Sequence, residues 1–398
     1  MSNYLHVDIL QEQSSKHKGK PTGDVIGIDR ESGHTIIVIA DGLGSGITAN
    51  IAAQMTVSRI LQLLRMDVSM RDTFQSLVKT MNNSWGKSTT FCAFIIAKIL
   101  NNGEVTVLCY EMPAPVLVTP NHAYVLDENV YSSEKAILRE SVCTLEAGEG
   151  LILMSDGISQ AGMGRGLVEG WTCEGVAHFL SDELESKKLD FNNIALMVHR
   201  KARTLWRDAK GDDCSVIFAK CRRGITVNIL TGPPQKQDND ENFVNCFLEA
   251  PGIHIVCGGS TAKITARVLQ RTLNVEQENS DSFTPPKYTI QGINLVVEGV
   301  VTLNQVYNIL DISTDQRKFD SPVFELADHL LVADKVVFWY GNAINKGFKN
   351  IEFKQLGILP RNTIIGVLEQ KLKEKGKVVA IYEWIDSLGD FQIHKNNI

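Results

Sequence analysis

The sequence predicts an α/β protein made of two domains. The chain has 398 residues, more than a typical single domain needs. In both halves, short apolar runs typical of strands alternate with segments in which apolar residues recur at helical spacing. At Thr231–Glu241 the composition shifts to turn formers and charge, which indicates a break between domains. We predict one domain at residues 1–223 and a second at residues 224–398.

The first domain opens with polar residues that predict an irregular arm or an edge strand. The turn Glu31–His34 and the hairpin signal Asn101–Gly103 each join two strands. Strands are predicted at Val25–Asp29, Thr35–Ala40, Phe91–Ile99, Glu104–Cys109, Gly150–Met154 and Ser215–Lys220. Helices are predicted at Ile47–Leu64, Thr73–Met81, Cys173–Leu184 and Asn192–Trp206.

The second domain repeats the alternation of strands and helices, and we predict an α/β domain of unknown type with a regulatory or ligand-sensing role. Strands are predicted at Ile253–Cys257 and Ile293–Val297. Helices are predicted at Ala262–Thr272 and Thr302–Leu310.

The composition argues against some classes of binding partner and indicates the cellular compartment. The net charge of -6 and the pI near 5.9 argue against nucleic-acid binding, which depends on a basic surface. Eight cysteines without a Cys-x-x-Cys pair fit reduced thiols. There is no signal-like N-terminus, and no apolar stretch of ~18–20 residues for a membrane span. We therefore expect a cytoplasmic protein with neither nucleic acid nor membrane as a partner.

Two segments share one design, an apolar strand that ends in Asp-Gly. They are Thr35–Gly42, which ends in Asp41, and Leu151–Gly157, which ends in Asp156. A buried strand fixes its last residue, and the glycine allows a sharp turn and a close approach of the backbone carbonyl to a ligand. A single Asp-Gly is usually only a turn, so this pair is weak evidence by itself.

Two further acidic positions complete a pattern. Asp24 and the pair Asp212-Asp213 each directly precede a predicted strand, where a neighbouring antiparallel strand would end. Four acidic side chains would then meet at one edge of the sheet layer. Their carboxylate oxygens would suffice to bind two divalent ions about 3.5–4 Å apart. Hard oxygen ligands favour Mg²⁺ or Mn²⁺. Such ions lower the pKa of a shared water and hold a phosphoryl group, so no protein nucleophile is required.

The four acidic segments, taken in order, resemble those of a known family. Gly23-Asp24, Ala40–Gly46, Ser155–Gly157 and Gly211–Ser215 resemble the motifs of the metal-dependent protein phosphatases, the protein phosphatase 2C superfamily. The Asp-Gly-Leu-Gly-Ser-Gly form resembles the bacterial branch typified by the stage II sporulation phosphatase (stage II sporulation protein E-like). The resemblance covers roughly residues 15–222.

The resemblance implies a four-layer α/β-β/α sandwich, in which two antiparallel sheets face each other and helices cover both outer faces. It implies hydrolysis of phosphoserine or phosphothreonine on a partner protein, such as an anti-sigma-factor antagonist in bacterial signal transduction. Two ions, Mn²⁺ or Mg²⁺, would activate the attacking water.

Carried over by position, the resemblance assigns roles to five aspartates and to the Gly42 carbonyl. Asp41 would bridge both ions, and Asp24 would serve one of them beside the Gly42 carbonyl. Asp156 and Asp212 would serve the other ion. The catalytic set is therefore Asp41, Asp156 and Asp212, with Asp213 near the substrate phosphate.

The sequence also departs from the family pattern. Leu43 stands where the eukaryotic branch has a histidine proposed as general acid, so water would protonate the leaving group. The eukaryotic phosphate-binding arginine has no clear counterpart, and Arg30 is one candidate. Ser215 replaces an expected threonine.

Two segments near the motifs invite functional interpretations. Ile158–Trp171 reads as a recognition loop, in which Arg165 would meet the substrate phosphate or would simply be exposed. In the branch that the chain resembles, two helices rearrange when a partner or a dimer mate binds. Ile47–Leu64 would belong to such a device, in a homodimer for example, although most of its apolar stripe reads as core.

In the second domain, one segment has the pattern of an anion-binding turn. Gly258, Gly259, Ser260 and Thr261 follow a predicted strand and open a helix. Together with Tyr340–Asn345 and Gly292–Gly299 they would line a small-ligand pocket. The favoured alternative is N-capping by Ser260 and ordinary turns.

Two other functions stay open at the level of sequence. The chain could be a non-catalytic scaffold that keeps the phosphatase fold and binds a phosphoprotein or senses a ligand. It could also act on a small molecule through the second domain, as a phosphatase or kinase centred on Gly258–Thr261.

Overall fold

The fold is seen in a computed structural model. It describes residues 4–17, 19–83, 92–133, 136–186, 190–207, 211–276, 286–312, 321–343 and 357–393. The chain divides into two compact units, Asn3–Arg223 and Gly224–Ile398. None of the helices in the described ranges has the length and hydrophobicity of a membrane-spanning segment.

The N-terminal unit contains two antiparallel sheets. The first has six strands in the order β2-β3-β4-β5-β9-β8, which are Asp24–Arg30, His34–Gly42, Cys92–Leu100, Glu104–Tyr110, Ala136–Thr144 and Asn129–Ser133. The second has five strands in the order β1-β11-β10-β6-β7, which are Leu5–Ser14, Cys214–Arg223, Gly150–Met154, Val116–Val118 and Ala123–Val125.

Helices cover the outer face of each sheet. On the first sheet lie α1 (Ile47–Arg65) and α2 (Met70–Asn83), and on the second lie α3 (Asp156–Ser159), α4 (Thr172–Glu185) and α5 (Ile194–Trp206). A third apolar cluster, drawn from both sheets, fills the space between them. The predicted four-layer α/β-β/α sandwich is confirmed.

The apolar runs of the sequence belong to strands that are covered on both faces. In β4, Ile95 and Ala97 point to the core between the sheets, whereas Phe94 and Ile96 point to the helices α1 and α2. Because side chains alternate along a strand, a strand with two buried faces is apolar throughout. This explains why the run Phe91–Ile99 is recognisable from sequence; its first residue, Phe91, lies outside the described residues.

The polar N-terminal segment forms the edge strand β1, one of the two alternatives that the sequence allowed. It pairs with β11 along its whole length, from Leu5 opposite Arg223 to Ser14 opposite Cys214. The short strands β6 to β8, and the strand β9 with which β8 pairs, are absent from the sequence prediction.

The C-terminal unit is a doubly wound α/β sheet. Its eight strands have the order β14-β15-β16-β13-β12-β17-β18-β19, and the five from β16 to β18 are parallel. In that order the strands are Asn274–Glu276, Lys287–Thr289, Leu295–Val297, Ile253–Cys257, Thr226–Thr231, Lys335–Tyr340, Val378–Ile385 and Asp390–Ile393.

Helices lie on both faces of this sheet. The helices α6 (Asp240–Glu249) and α7 (Gly259–Val268) pack on one face. On the other face pack α8 (Val300–Ile309), α9 (Pro322–Val332) and α10 (Arg361–Glu374). The predicted break at Thr231–Glu241 is wrong, because that stretch connects the central strand β12 to α6 inside this unit.

The core between the two sheets of the N-terminal unit should dominate the stability of that unit. We expect Ile95→Ala to lower its free energy of unfolding by about 2–5 kcal/mol, because Ile95 is fully buried and its removal leaves a cavity. The matched change Ile28→Ala, at a residue that is 37% exposed in β2, should cost much less. Urea titration of the full chain, followed by hydrogen exchange of the β3 and β4 amides, would compare them. Equal losses would contradict the assignment of this core.

Candidate active site

The first sheet brings two aspartates together. Asp24 begins β2 and Asp41 lies one residue before the end of β3, and the antiparallel register puts them directly opposite each other. Directly opposed residues share a face of the sheet, with Cβ atoms about 4.5–5.5 Å apart. The two carboxylates are therefore neighbours, although their residues are separated by a hairpin.

The second sheet brings a second pair to the same place. Asp156 opens α3 immediately after β10, and Asp212 lies just before β11, which pairs with β10. Gly157 is essential to this arrangement, since a Cβ atom at this position would lie 2.0 Å from the Asp213 carbonyl oxygen. The glycine lets the two chain segments approach closely, as the Asp-Gly pattern predicts.

Hydrogen bonds within the second sheet and between the two sheets hold these acids in place. The carboxylate of Asp213 accepts backbone N–H bonds from Lys16 and Gly23, each at 2.6 Å. The Ser215 hydroxyl donates to Asp24 Oδ2 at 2.6 Å. Asp213 is buried and both of its oxygens are engaged by backbone amides, so it positions the strand ends.

Gly42 allows the start of α1 to approach the end of β3. A Cβ atom there would lie 2.1 Å from the carbonyl oxygen of Ala49. The Gly42 amide donates to the Gly23 carbonyl at 3.4 Å, so Gly42 is held beside the residue that precedes Asp24. The Gly42 carbonyl is thus close to the acidic cluster.

Burial and mutual repulsion raise the pKa values of the clustered acids. Burial, with repulsion from Asp213 and Asp156, raises the pKa of Asp24 to about 7. Burial, with repulsion from Asp24, Asp156 and Asp212, raises the pKa of Asp41 to about 9. Burial and the charge of Asp212 also raise the pKa of Asp156. These interactions place all four aspartates of the predicted metal set in one electrostatic cluster.

The donor set suits a divalent cation. Asp24 Oδ1 and Asp156 Oδ1 are buried and accept no hydrogen bond. Carboxylate oxygens are the ligands that Mg²⁺ and Mn²⁺ prefer, and a bound cation would remove the repulsion among them. As the side chains stand in the described residues, no three acidic, histidine or cysteine side chains are arranged around one ion. Binding would therefore require these side chains to move.

Sequence reasoning missed Lys16. Its ammonium nitrogen lies 3.5 Å from Asp212 Oδ1, and its charge lowers the pKa of Asp156, opposing the burial that raises it. Lys16 follows β1, and the pairing of that strand with β11 carries it to the acidic cluster. The only signal in the sequence was a short basic segment ahead of Asp24, which reads as an ordinary solvated surface.

The structure also places three further residues that were named from sequence. Arg30 is at the opposite end of β2 from Asp24, so it is not placed to bind a phosphate at the cluster. Arg165 donates to the Trp206 carbonyl at 3.2 Å, in a loop with several glycines of positive φ. Leu43 is 73% exposed beside the end of β3.

Two facing antiparallel sheets, with four aspartates at the ends of their strands, define the phosphatase 2C class of domain. Residues 31–222 match the family model described as Stage II sporulation protein E (SpoIIE). The match spans slightly less than half of the chain and lies within the N-terminal unit. That unit therefore carries a SpoIIE-type domain, from a family of serine/threonine phosphatases, and the resemblance read from the motifs is confirmed.

Three solved structures show some likeness to the chain. The RsbU and RsbW domains of Rv1364c from Mycobacterium tuberculosis are 14% identical, with a TM-score of 0.46, over 62% of this chain and 69% of that chain. The phosphatase domain of SpoIIE from Bacillus subtilis, with a fragment of its regulatory domain, is 18% identical, with a TM-score of 0.45, over 56% of this chain and 65% of that chain.

The third, RsbX in complex with magnesium, is 16% identical, with a TM-score of 0.39, over 55% of this chain and 99% of that chain. With TM-scores below 0.5, these likenesses add nothing to the family match. A comparison with curated protein sequences gave no match.

The acidic cluster should make the metal-free protein less stable as the pH rises. The folded state keeps protons on Asp24 and Asp41 up to pH values of about 7 and 9, whereas the unfolded state releases them near 3.8. Because the unfolded state binds fewer protons in this window, the melting temperature in EDTA should fall between pH 5 and pH 8.5. Mn²⁺ at pH 7.5 should raise the melting temperature.

Thermal unfolding of two variants would test this prediction. Asp41→Asn should weaken both the pH dependence and the rise with Mn²⁺. Asp67→Asn, at an exposed aspartate after α1, should leave both responses unchanged. A Mn²⁺ response that survives in Asp41→Asn would exclude Asp41 as a ligand.

Proposed function

We propose that the chain is a metal-dependent protein phosphatase that hydrolyses phosphoserine or phosphothreonine on a partner protein. The observation that carries this proposal is the meeting of four aspartates from two sheets, two of them with buried and unpaired oxygens. The family of the matched domain supports the same reaction.

In this proposal Asp24, Asp41, Asp156 and Asp212 hold two Mn²⁺ or Mg²⁺ ions, together with the Gly42 carbonyl. Asp41 would be the central ligand of this set, since it is partly buried and Asp24, Asp156 and Asp212 surround it. When bound, the ions would supply charge for the phosphoryl oxygens and acidify a water molecule. In this proposal Asp213 holds the strand ends, in place of the substrate contact that the resemblance implied, because both of its oxygens accept backbone amides, and Ser215 orients Asp24.

Lys16 is the residue best placed to bind the substrate phosphate. Its ammonium group lies beside Asp212, and a primary ammonium is a common ligand of phosphate oxygens. Arg165 remains a second candidate for a substrate contact. Leu43, and not a histidine, stands two residues after Asp41, so water would supply the proton to the leaving serine or threonine.

The surface beside the cluster suits a protein substrate. Ile47, Ile51 and Met55 recur at intervals of four residues along α1, and Leu43 precedes this helix; each of the four is more than half exposed. An exposed apolar stripe at helical spacing favours contact with another protein. We propose a small phosphorylated protein, such as an anti-sigma-factor antagonist, as the substrate, with a second copy of the chain as another candidate for this stripe. All eight cysteines are free, which suits the cytoplasm.

The purified chain should hydrolyse a phosphoserine peptide only with Mn²⁺ or Mg²⁺. Asp41→Asn and Asp156→Asn should each lower kcat on the order of 10²–10³-fold while the fold persists, because each removes a charged ligand. Asp67→Asn is the matched control and should keep wild-type activity. Hydrolysis that persists in EDTA would contradict the mechanism. Calorimetry without any divalent-metal binding would favour the non-catalytic scaffold.

Lys16→Gln should raise KM for the phosphopeptide about tenfold, because a charged contact to the phosphate is lost. The accompanying fall in kcat should be smaller. Lys16→Arg should recover much of the affinity, since it keeps the charge. Lys79→Gln, at an exposed lysine in α2, is the control. An unchanged KM in Lys16→Gln would rule out this contact.

A further inference from the structure

The last turn of α5 lies against both chain segments that carry the second pair of acids. Gly157 directly follows Asp156, and Gly211 directly precedes Asp212. Trp206, the final residue of α5, contacts both of these glycines. The two segments are neighbours themselves, since a Cβ atom on Gly157 would lie 3.3 Å from the Cβ atom of Asp212. One side chain thus touches the neighbours of two proposed metal ligands.

The indole nitrogen of Trp206 holds the segment that contains Asp156. It donates a hydrogen bond to the Gly157 carbonyl oxygen at 2.9 Å, and the Cys214 thiol donates to the same oxygen at 3.3 Å. Gly157 belongs to α3, which has only four residues. A helix leaves its last four carbonyl groups without partners inside it, so this carbonyl depends on donors from outside. Trp206 supplies one of them and fixes the residue next to Asp156.

The ring of Trp206 packs against the segment that leads into Asp212. A Cβ atom on Gly211 would lie 2.7 Å from Cγ and Cδ2 of the ring, which is too close for any other residue to fit without a shift. The φ angle of Gly211 is not in the left-handed region, so its backbone conformation does not require glycine. The closeness of the ring does, and the ring therefore sets how near this segment lies to α5.

The same turn of α5 also contacts the loop that follows α3, but through other atoms. The main-chain carbonyl of Trp206 accepts a hydrogen bond from Arg165 at 3.2 Å. Leu205 lies beside Gly162, where a Cβ atom would be 3.5 Å from the Leu205 Cβ atom. Substitution of the indole can therefore change the contacts to Gly157 and Gly211 while the contacts to the loop remain.

We propose that Trp206 is a positioning residue, whose indole sets the separation of Asp156 and Asp212 and thereby the affinity of the ion that these two acids hold. This inference rests on the proposed function, in which the two acids serve one of two divalent ions. The charge of Asp212 bears on Asp156, and like charges repel, so neutral groups must hold the pair together before an ion binds. Trp206 itself would touch neither an ion nor the substrate.

Calorimetric titration of the full chain with Mn²⁺, without substrate, would test this inference. Trp206→Phe keeps an aromatic ring beside Gly211 but removes the N–H donor. We expect one of two Mn²⁺ affinities to fall about tenfold, the effect typical of a lost contact behind a metal ligand. Trp339→Phe is the matched control, because the Trp339 indole donates to Asn228 Oδ1 at 3.1 Å in the C-terminal unit. It should bind Mn²⁺ as the wild type does.

Hydrolysis of a phosphoserine peptide would separate positioning from a general loss of stability. Trp206→Phe should need about tenfold more Mn²⁺ for half-maximal activity. At saturating Mn²⁺ its kcat and its KM for the peptide should stay near the wild-type values, because the acids, Lys16 and the carbonyl that holds Arg165 are all kept. A purely structural role would lower the fraction of active enzyme equally at every Mn²⁺ concentration.

A second variant tests the contact from the other side. Gly211→Ala places a methyl group against the ring and should also weaken Mn²⁺ binding. In a Trp206→Ala background, where the ring is gone, the same change should cost little, so the two effects should not be additive. Circular dichroism would show that each variant is folded.

The outcomes distinguish this inference from the proposed function. Wild-type Mn²⁺ affinity in folded Trp206→Phe, or in folded Gly211→Ala, would overturn the role of Trp206 and leave the phosphatase proposal standing. A wild-type chain that binds no Mn²⁺ would overturn both.

Discussion

The confinement of like charges at the ends of four strands is the constraint on which the N-terminal unit depends. Ionised carboxylates repel one another in a partly buried site, and the folded chain must hold them there. It does so with neutral donors: the amides of Lys16 and Gly23 bond to Asp213, and the Ser215 hydroxyl bonds to Asp24. The bonds to Gly23 and Asp24 join the first sheet to the second at the end where the acids lie, so the sandwich and its site are stabilised by the same contacts.

The parts of this site that are local in sequence could be predicted. An apolar strand that ends in Asp-Gly carries its own signal, and the register of β2 with β3 follows from a short hairpin. Lys16 could not be predicted, because its place depends on pairing between β1 and β11, which are about two hundred residues apart. The strands Val116–Val118 and Ala123–Val125 were missed for another reason, since three residues are too few to show an alternating pattern.

In the C-terminal unit, even less of the structure could be predicted from the sequence. The alternation of strands and helices predicted an α/β domain, but the order of parallel strands depends on contacts that leave no local trace. Only the structure shows that Thr231, Cys257 and Tyr340 are level with one another, and that Arg361 reaches the same edge. The role of Ser260 was misjudged because a hydroxyl at a helix start usually caps it, whereas here a glycine with φ +131° occupies the N-cap position.

Both units bury charged groups. The N-terminal unit places acids at strand ends, whereas the C-terminal unit buries the Arg361 guanidinium at the start of a helix, and each leaves buried polar atoms without partners among the described residues. Such groups cost stability in the free protein, and a ligand of opposite charge recovers that cost when it binds. Strong selectivity follows, because a neutral ligand would leave the charge uncompensated. In the acidic cluster this argument favours a divalent cation, on which the proposed function depends.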